Sequence, residues 1–273
     1  MDVIIGSNIG FRYGNDAPVL EHADFVFKSG KTTAILGKNG CGKSTLAKLI
    51  LALLPHHEGK LTVRDLDVNT QKGLAEVRKH CGIVFQNPDN QFVSPIIEDD
   101  IRFGLENHGV PEKDQPELIR KALAEAGLSG FEKRNISTLS GGQKQRAAFA
   151  GILAIGNDIL IFDEATAMLD PEGKAELLSC LEDQKSSGKT VIIITQDPDD
   201  VLCADTILLM NGGMIKASGA PRDVLTDASL LSECGVRVPF PVRVYHDLLE
   251  NGIRLPHCPL TRKELSEEIC SLR

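Results

Sequence analysis

Eight consecutive residues carry the strongest chemical signal in this 273-residue chain. Gly37, Lys38, Asn39, Gly40, Cys41, Gly42, Lys43 and Ser44 fill the pattern GxxxxGK[ST], and Thr45 follows them. Glycines at these positions let successive backbone N–H groups turn inward around phosphate oxygens. A helix that opens here adds partial positive charge at its N-terminus. Lys43 has the reach and the charge to meet β- and γ-phosphates, and the Ser44 hydroxyl suits Mg²⁺. A glycine-rich turn that binds nothing is the plain alternative. It is disfavoured because every fixed position is filled and the turn lies between strand-like and helix-like segments.

A second constellation lies downstream, where Ile159, Leu160, Ile161 and Phe162 are followed directly by Asp163 and Glu164. A buried strand that ends in two carboxylates sets both at its C-terminal edge, where open α/β sheets bind ligands. Asp163 suits Mg²⁺, directly or through water. Glu164 suits a base that orients an attacking water. In isolation, solvated acids at a strand end would be the simpler reading; beside the phosphate turn it loses ground.

The elements that must position these groups follow from periodicity. A short strand over residues 33–36 enters the glycine turn, and a helix over 44–54 leaves it, stopped by Pro55. Strands are predicted over 82–85, 158–162 and 190–195, the last two as apolar runs expected of strands buried on both faces. Helices are predicted over 116–126, closed by Gly127, and over 143–155. Residues 207–210 and 214–217 flank Asn211-Gly212-Gly213 as a hairpin. The first 28 residues read as antiparallel strands with loops. The alternation of strands and helices predicts a mostly parallel, helix-covered sheet. The style changes near Pro221, where helical patterns shorten and prolines recur, so residues 1–220 and 221–273 are read as a main domain and a small extension.

Composition narrows the function. The formal net charge of −8 argues against nucleic acid as a partner, because phosphate backbones call for Lys/Arg stripes. The apolar run over residues 147–156 is too short for a bilayer core of about 30 Å, and the first residues carry no basic, signal-like region. Seven scattered cysteines without a CxxC pair read as reduced thiols. Cys41 is expected to have a lowered thiol pKa from the helix terminus and Lys43, and to be shielded by nucleotide. An inert small residue chosen for fit is the alternative.

A further motif turns these observations into a resemblance. Leu139-Ser140-Gly141-Gly142-Gln143 matches the signature of ABC ATPases letter for letter, between the phosphate turn and Asp163-Glu164. Residues 1–220 resemble that family. This implies a P-loop α/β cassette with an antiparallel β subdomain and a helical subdomain, binding ATP and Mg²⁺. On the same resemblance Tyr13 stacks on adenine, Gln86 is the Q-loop glutamine and a metal ligand with Ser44 and Asp163, and the run 167–170 ending in Asp170 is the D-loop. Each has a plain reading too: an edge-strand aromatic, a strand cap and a helix N-cap. The family pairs two subunits head to tail, so Ser140 and Gly142 would contact ATP held by the partner's phosphate turn.

Gln196, in Thr195-Gln196-Asp197, stands where the family has its switch histidine. It can donate an N–H but cannot carry positive charge, which implies hydrolysis slower on the order of ten- to a hundredfold at this chain's own site. A faster site on a paralogue would pair with it; a homodimer in which glutamine substitutes fully is the rival. The segments 85–92 and 97–104, with Gly235-Val236-Arg237-Val238-Pro239 and Leu248, Leu249 and Gly252 in the tail, resemble energy-coupling factor importers of vitamins and transition-metal ions. That implies a second ATPase, a transmembrane coupling subunit and a substrate-binding membrane subunit, with this chain peripheral on the cytoplasmic face of the membrane. Phe92, Val93, Ile96 and Ile97 are expected to form a docking patch for the membrane partner, or else to be core. The tail either pairs the two ATPases or packs back on its own domain through Leu248, Leu249, Ile253 and Leu255. An ordinary ABC importer, or a soluble ABC ATPase, is the alternative identity.

Overall fold

The computed structural model describes residues 1–55, 58–167 and 169–271. Strands β1 (Asp2–Phe11) and β2 (Leu20–Lys28) pair antiparallel, and β2 buries Leu20, Ala23, Phe25 and Phe27 on one side. Strand β3 (Thr32–Gly37) is buried along its whole length and leads through the glycine turn into α1 (Lys43–Ile50). The sequence predicts this helix to run as far as residue 54. It ends earlier because Ala52 takes a left-handed backbone, φ 52°, which closes the last turn ahead of Pro55. Strands β4 (Glu58–Val63) and β5 (Leu66–Asp67) complete an antiparallel sheet of order β2-β1-β4-β5.

Helix α2 (Gln71–His80) then leads into β6 (Cys81–Val84). A helical subdomain follows, made of α3 (Ile97–Asn107), α4 (Gln115–Glu125) and α5 (Gly141–Ile155). Strand β7 (Ile159–Asp163), α6 (Pro171–Ser186), β8 (Thr190–Thr195) and the hairpin β9 (Thr206–Asn211) and β10 (Met214–Gly219) finish the second sheet. Its order is β10-β9-β3-β8-β7-β6, parallel except for the edge strand β10.

Alternation along the central strands divides the core. Ile35, Ile159, Ile161, Ile192 and Ile194 meet α1 and the antiparallel sheet. Leu160, Phe162, Val191 and Ile193 point the other way, against Phe149 and Ala150 of α5. These strands are covered on both faces, which is why they read as unbroken apolar runs. A third cluster joins Ala34, Leu36, Ile207 and Leu209 to Val224, Leu225, Leu231, Val236, Val242 and Leu260. Those partners come from α7 (Pro221–Leu225), α8 (Ala228–Glu233), α9 (Phe240–Glu250) and the segments beside them; α10 (Arg262–Ser271) closes the chain. The extension is therefore built onto the back of β3 and β9. Leu255 is buried within it, whereas Leu249 and Ile253 are 41% and 43% exposed.

Candidate active site

Sheet register gathers the chemistry. Leu36 lies opposite Thr195 across β3 and β8, and Asp163 lies opposite Ile194 across β7 and β8. The glycine turn, Asp163-Glu164 and Gln196 thus emerge at one C-terminal edge of the parallel sheet.

The turn needs its glycines for two reasons. Gly40 and Gly42 have φ of 77° and 105°, a region that L side chains rarely adopt. A Cβ on Gly42 would also lie 2.9 Å from the Val19 carbonyl oxygen, and one on Gly37 would lie 2.5 Å from the Met210 carbonyl oxygen. Inside this turn Lys43 is buried, and its Nζ donates to the carbonyls of Gly37 at 2.8 Å and Lys38 at 3.0 Å. The ammonium lies 3.6 Å from Glu164 Oε1.

Ser44 and Asp163 meet directly: Ser44 Oγ donates to Asp163 Oδ1 at 2.9 Å. Burial pushes the Asp163 carboxyl above the usual carboxylate range; the Ser44 hydrogen bond opposes this and the Glu164 charge adds to it. Glu164 adopts φ 50° and its N–H donates to the Ile194 carbonyl at 2.8 Å. A left-handed glutamate is a strained residue, held here by the end of β8, and it turns the chain sharply after the strand. Gln86 Nε2 donates to Glu164 Oε2 at 2.9 Å, which leaves the amide oxygen of Gln86 available as an acceptor. A cavity of about 370 Å³ is lined by Val19, Asn39, Gly40, Lys43, Ser44, Thr45, Gln86 and Glu164. Tyr13 is 40% exposed beside it, with its hydroxyl 3.2 Å from Thr45 Oγ1.

Two sequence expectations change here. Cys41 is 3% exposed and packed in the core beside the turn. Burial pushes its thiol up, outweighing the charge of Lys43, so the expected low-pKa thiol is not formed. The segment 92–97 is not one patch either. Ile97 is buried in the helical subdomain and Phe92 packs partly against it, while Val93 is 66% exposed.

The signature residues are placed elsewhere. Ser140 caps α5 with a reciprocal pair: its Oγ accepts from Gln143 N at 3.3 Å, and Gln143 Oε1 accepts from Ser140 N at 3.0 Å. Asp170 caps α6 through Gly173 N at 2.9 Å. Ser140, Gly142, Leu169 and Asp170 line a separate cavity of about 360 Å³, sharing no residue with the first. Met168, within the expected 167–170 loop, lies outside the described residues.

Two further groups were missed by sequence reasoning. Gln145 of α5 is buried, and its Nε2 donates to the carbonyls of Phe85 at 3.2 Å and Gln86 at 3.0 Å. It ties the signature helix to the glutamine of the site; a polar residue on the buried face of a helix was the available signal. Asp200, four residues after Gln196, is buried, accepts from Thr166 Oγ1 at 2.6 Å and Thr195 Oγ1 at 3.1 Å, and forms an ion pair with Lys174. Nothing in the local pattern marked it.

A phosphate-type glycine turn between β3 and α1, with paired acids at the end of β7, defines a P-loop nucleotide hydrolase core. Residues 20–167 match the family model described as ABC transporter. The chain is 40% identical to the energy-coupling factor transporter ATP-binding protein EcfA1 of Lactobacillus acidophilus, over 97% of this chain and 95% of that one. It is 42% identical to the EcfA1 protein of Enterococcus faecalis, over 94% and 93%. Among solved structures, cbiO1 of Clostridium perfringens, part of the ABC transporter complex cbiONQ, superposes with a TM-score of 0.78 at 33% identity, over 90% of this chain and 100% of that one. The chain belongs to the ABC transporter family, among the ATP-binding subunits of energy-coupling factor type, and is an ABC-type ATPase.

Proposed function

We propose that this chain binds Mg-ATP in the cavity at the glycine turn and hydrolyses it to power uptake of a small nutrient, a vitamin or a transition-metal ion, through an energy-coupling factor transporter. The observation that carries this is the convergence of Lys43, Ser44, Gln86, Asp163 and Glu164 through direct contacts at one sheet edge. Lys43 offers a cation to the β- and γ-phosphates, and the backbone N–H groups of residues 38–45 cradle them. The hydroxyl of Ser44, the carboxylate of Asp163 and the amide oxygen of Gln86 are hard oxygen donors of the kind Mg²⁺ takes. Mg²⁺, when bound there, supplies charge neutralisation on the phosphates. Glu164, fixed between Gln86 and Lys43, orients the attacking water, and Gln196 adds a neutral N–H at the γ-phosphate. Tyr13 offers a ring face to the adenine. Lys38, Asn39, Gly40, Cys41 and Thr45 contribute backbone or shape.

Ser140, Gly142 and Asp170 act in a second copy's or paralogue's site, which fits their separate cavity. The same reading places the chain on the cytoplasmic face of the membrane, with a transmembrane coupling subunit and a substrate-binding membrane subunit. The exposed Leu249 and Ile253 of the 221–273 extension support its role in pairing the two ATPases.

The test is Lys43→Ala. Loss of a charge-assisted contact to phosphate is worth about 1.5–3 kcal/mol, so Mg-ATP affinity measured by calorimetry falls on the order of ten- to a hundredfold. Unchanged affinity refutes the assignment.

A further inference from the structure

Arg237 links the extension to the turn that follows β8. Val236 and Val242, at 5% and 0% exposure, anchor the chain on either side of Arg237 in the core behind β3 and β9. Between those anchors the Arg237 guanidinium donates to Asp197 Oδ1 at 2.8 Å and to Asp199 Oδ2 at 2.8 Å. Both acids lie in the turn that follows β8, and Asp197 is the immediate neighbour of Gln196.

That turn is held from the opposite side as well. Lys174 of α6, one helical turn past Asp170, donates to Asp197 Oδ2 at 3.0 Å and pairs with Asp200. Asp197 also accepts from Asp199 N at 3.1 Å through Oδ1. Burial alone would raise the Asp197 carboxyl; the Asp199 N–H, Lys174 and Arg237 together hold it below the usual carboxylate range. The hydrogen bonds it donates to Asp199 and Asp197 likewise raise Arg237 above its ordinary value. The same stretch of the extension touches the phosphate turn: Gly235 has φ 66°, and a Cβ on it would lie 3.2 Å from Lys38 Cδ.

We propose that Arg237 is a positioning residue for ATP hydrolysis, clipping the Asp197–Asp199 turn to the extension so that Gln196 is held at the C-terminal edge of β8. This rests on the nucleotide reading of the site. Two cations on two different elements fix the turn, and one belongs to the extension, so the placement of Gln196 depends on how the extension sits on β3 and β9. The two ends of the device are unequal. Lys174 meets the buried Asp200 and is the structural end. Arg237, 52% exposed, is the end that can let go without unfolding the turn, since half-exposed pairs contribute little to global stability.

The experiment uses the full-length chain purified with the ATPase and membrane subunits it assembles with, the partner ATPase disabled at its own glutamate so that only this chain's site is counted. Arg237→Ala is expected to lower kcat about three- to tenfold, with KM for ATP unchanged, because Lys43 and Ser44 are untouched. The deficit should be largest at low ionic strength and shrink at high salt, relative to wild type, as screening weakens the exposed pair. The charge swap Arg237→Asp with Asp199→Arg should recover turnover that Arg237→Asp alone loses. A kcat equal to wild type in Arg237→Ala, with only the melting temperature lowered, overturns the proposal and leaves Arg237 as packing. Lys43→Ala serves as the control: turnover that survives it overturns the nucleotide reading itself, independently of Arg237.

Discussion

Replacing Gln196 with histidine tests how this chain's own site differs from the family pattern. Gln196 is exposed at the end of β8, beside the buried Thr195 and the cation-clamped Asp197. An imidazole there needs no space from the core, so the variant should fold as the parent does. Its effect is electrostatic. A neutral donor contributes about 0.5–1.5 kcal/mol and a charged one about 1.5–3 kcal/mol, a difference of about 1.25 kcal/mol between midpoints. At about 1.36 kcal/mol per tenfold in rate, Gln196→His should raise turnover at this site about eightfold. The assay is ATP turnover per site in the purified complex, with the partner ATPase disabled at its own glutamate so that only this chain's cavity is counted. Glu164→Gln in the same background gives the floor. Unchanged turnover in Gln196→His, with Glu164→Gln abolishing activity, would refute the slow-site reasoning and show that glutamine serves fully.

Cys41, buried and with its thiol pushed up in pKa, should react with iodoacetamide equally slowly with and without Mg-ATP; fast labelling that nucleotide suppresses would contradict its burial. Changing Leu249 and Ile253 together to glutamate should weaken pairing of the two ATPases on the order of ten- to a hundredfold, if each side chain buries about 1 kcal/mol of apolar surface on association. Sedimentation analysis at fixed concentration checks this, and an unaltered dimer fraction at an unaltered melting temperature would remove these residues from the interface.

The local chemistry of the phosphate turn was written in the sequence. GxxxxGK[ST] encodes a backbone path through glycines at positive φ and a lysine one position ahead of a hydroxyl residue, and every part of that is short-range. The same holds for Asp163-Glu164 after an apolar run, for the capping pair Ser140 and Gln143, and for the buried strands, whose unbroken Val/Ile/Leu runs reflect cover on both faces. Helix ends were less legible, as at Ala52, since a left-handed residue other than glycine has no clear signature.

Tertiary structure decided what lies far apart in the chain. Gln86 and Glu164 are joined by a hydrogen bond across 78 positions, and only the order of β7 beside β6 brings them together. Cys41 kept its position in the motif and lost its expected reactivity, because burial is set by the antiparallel sheet packed over the turn rather than by its neighbours in sequence. The apolar residues of 92–97 were divided between core and surface by the fold of the helical subdomain. Asp200, Lys174 and Arg237 were ordinary charges in the sequence. They became one network because α6, the turn after β8 and the extension converge, and charge pairing over such separations depends on three-dimensional distance that no local pattern encodes.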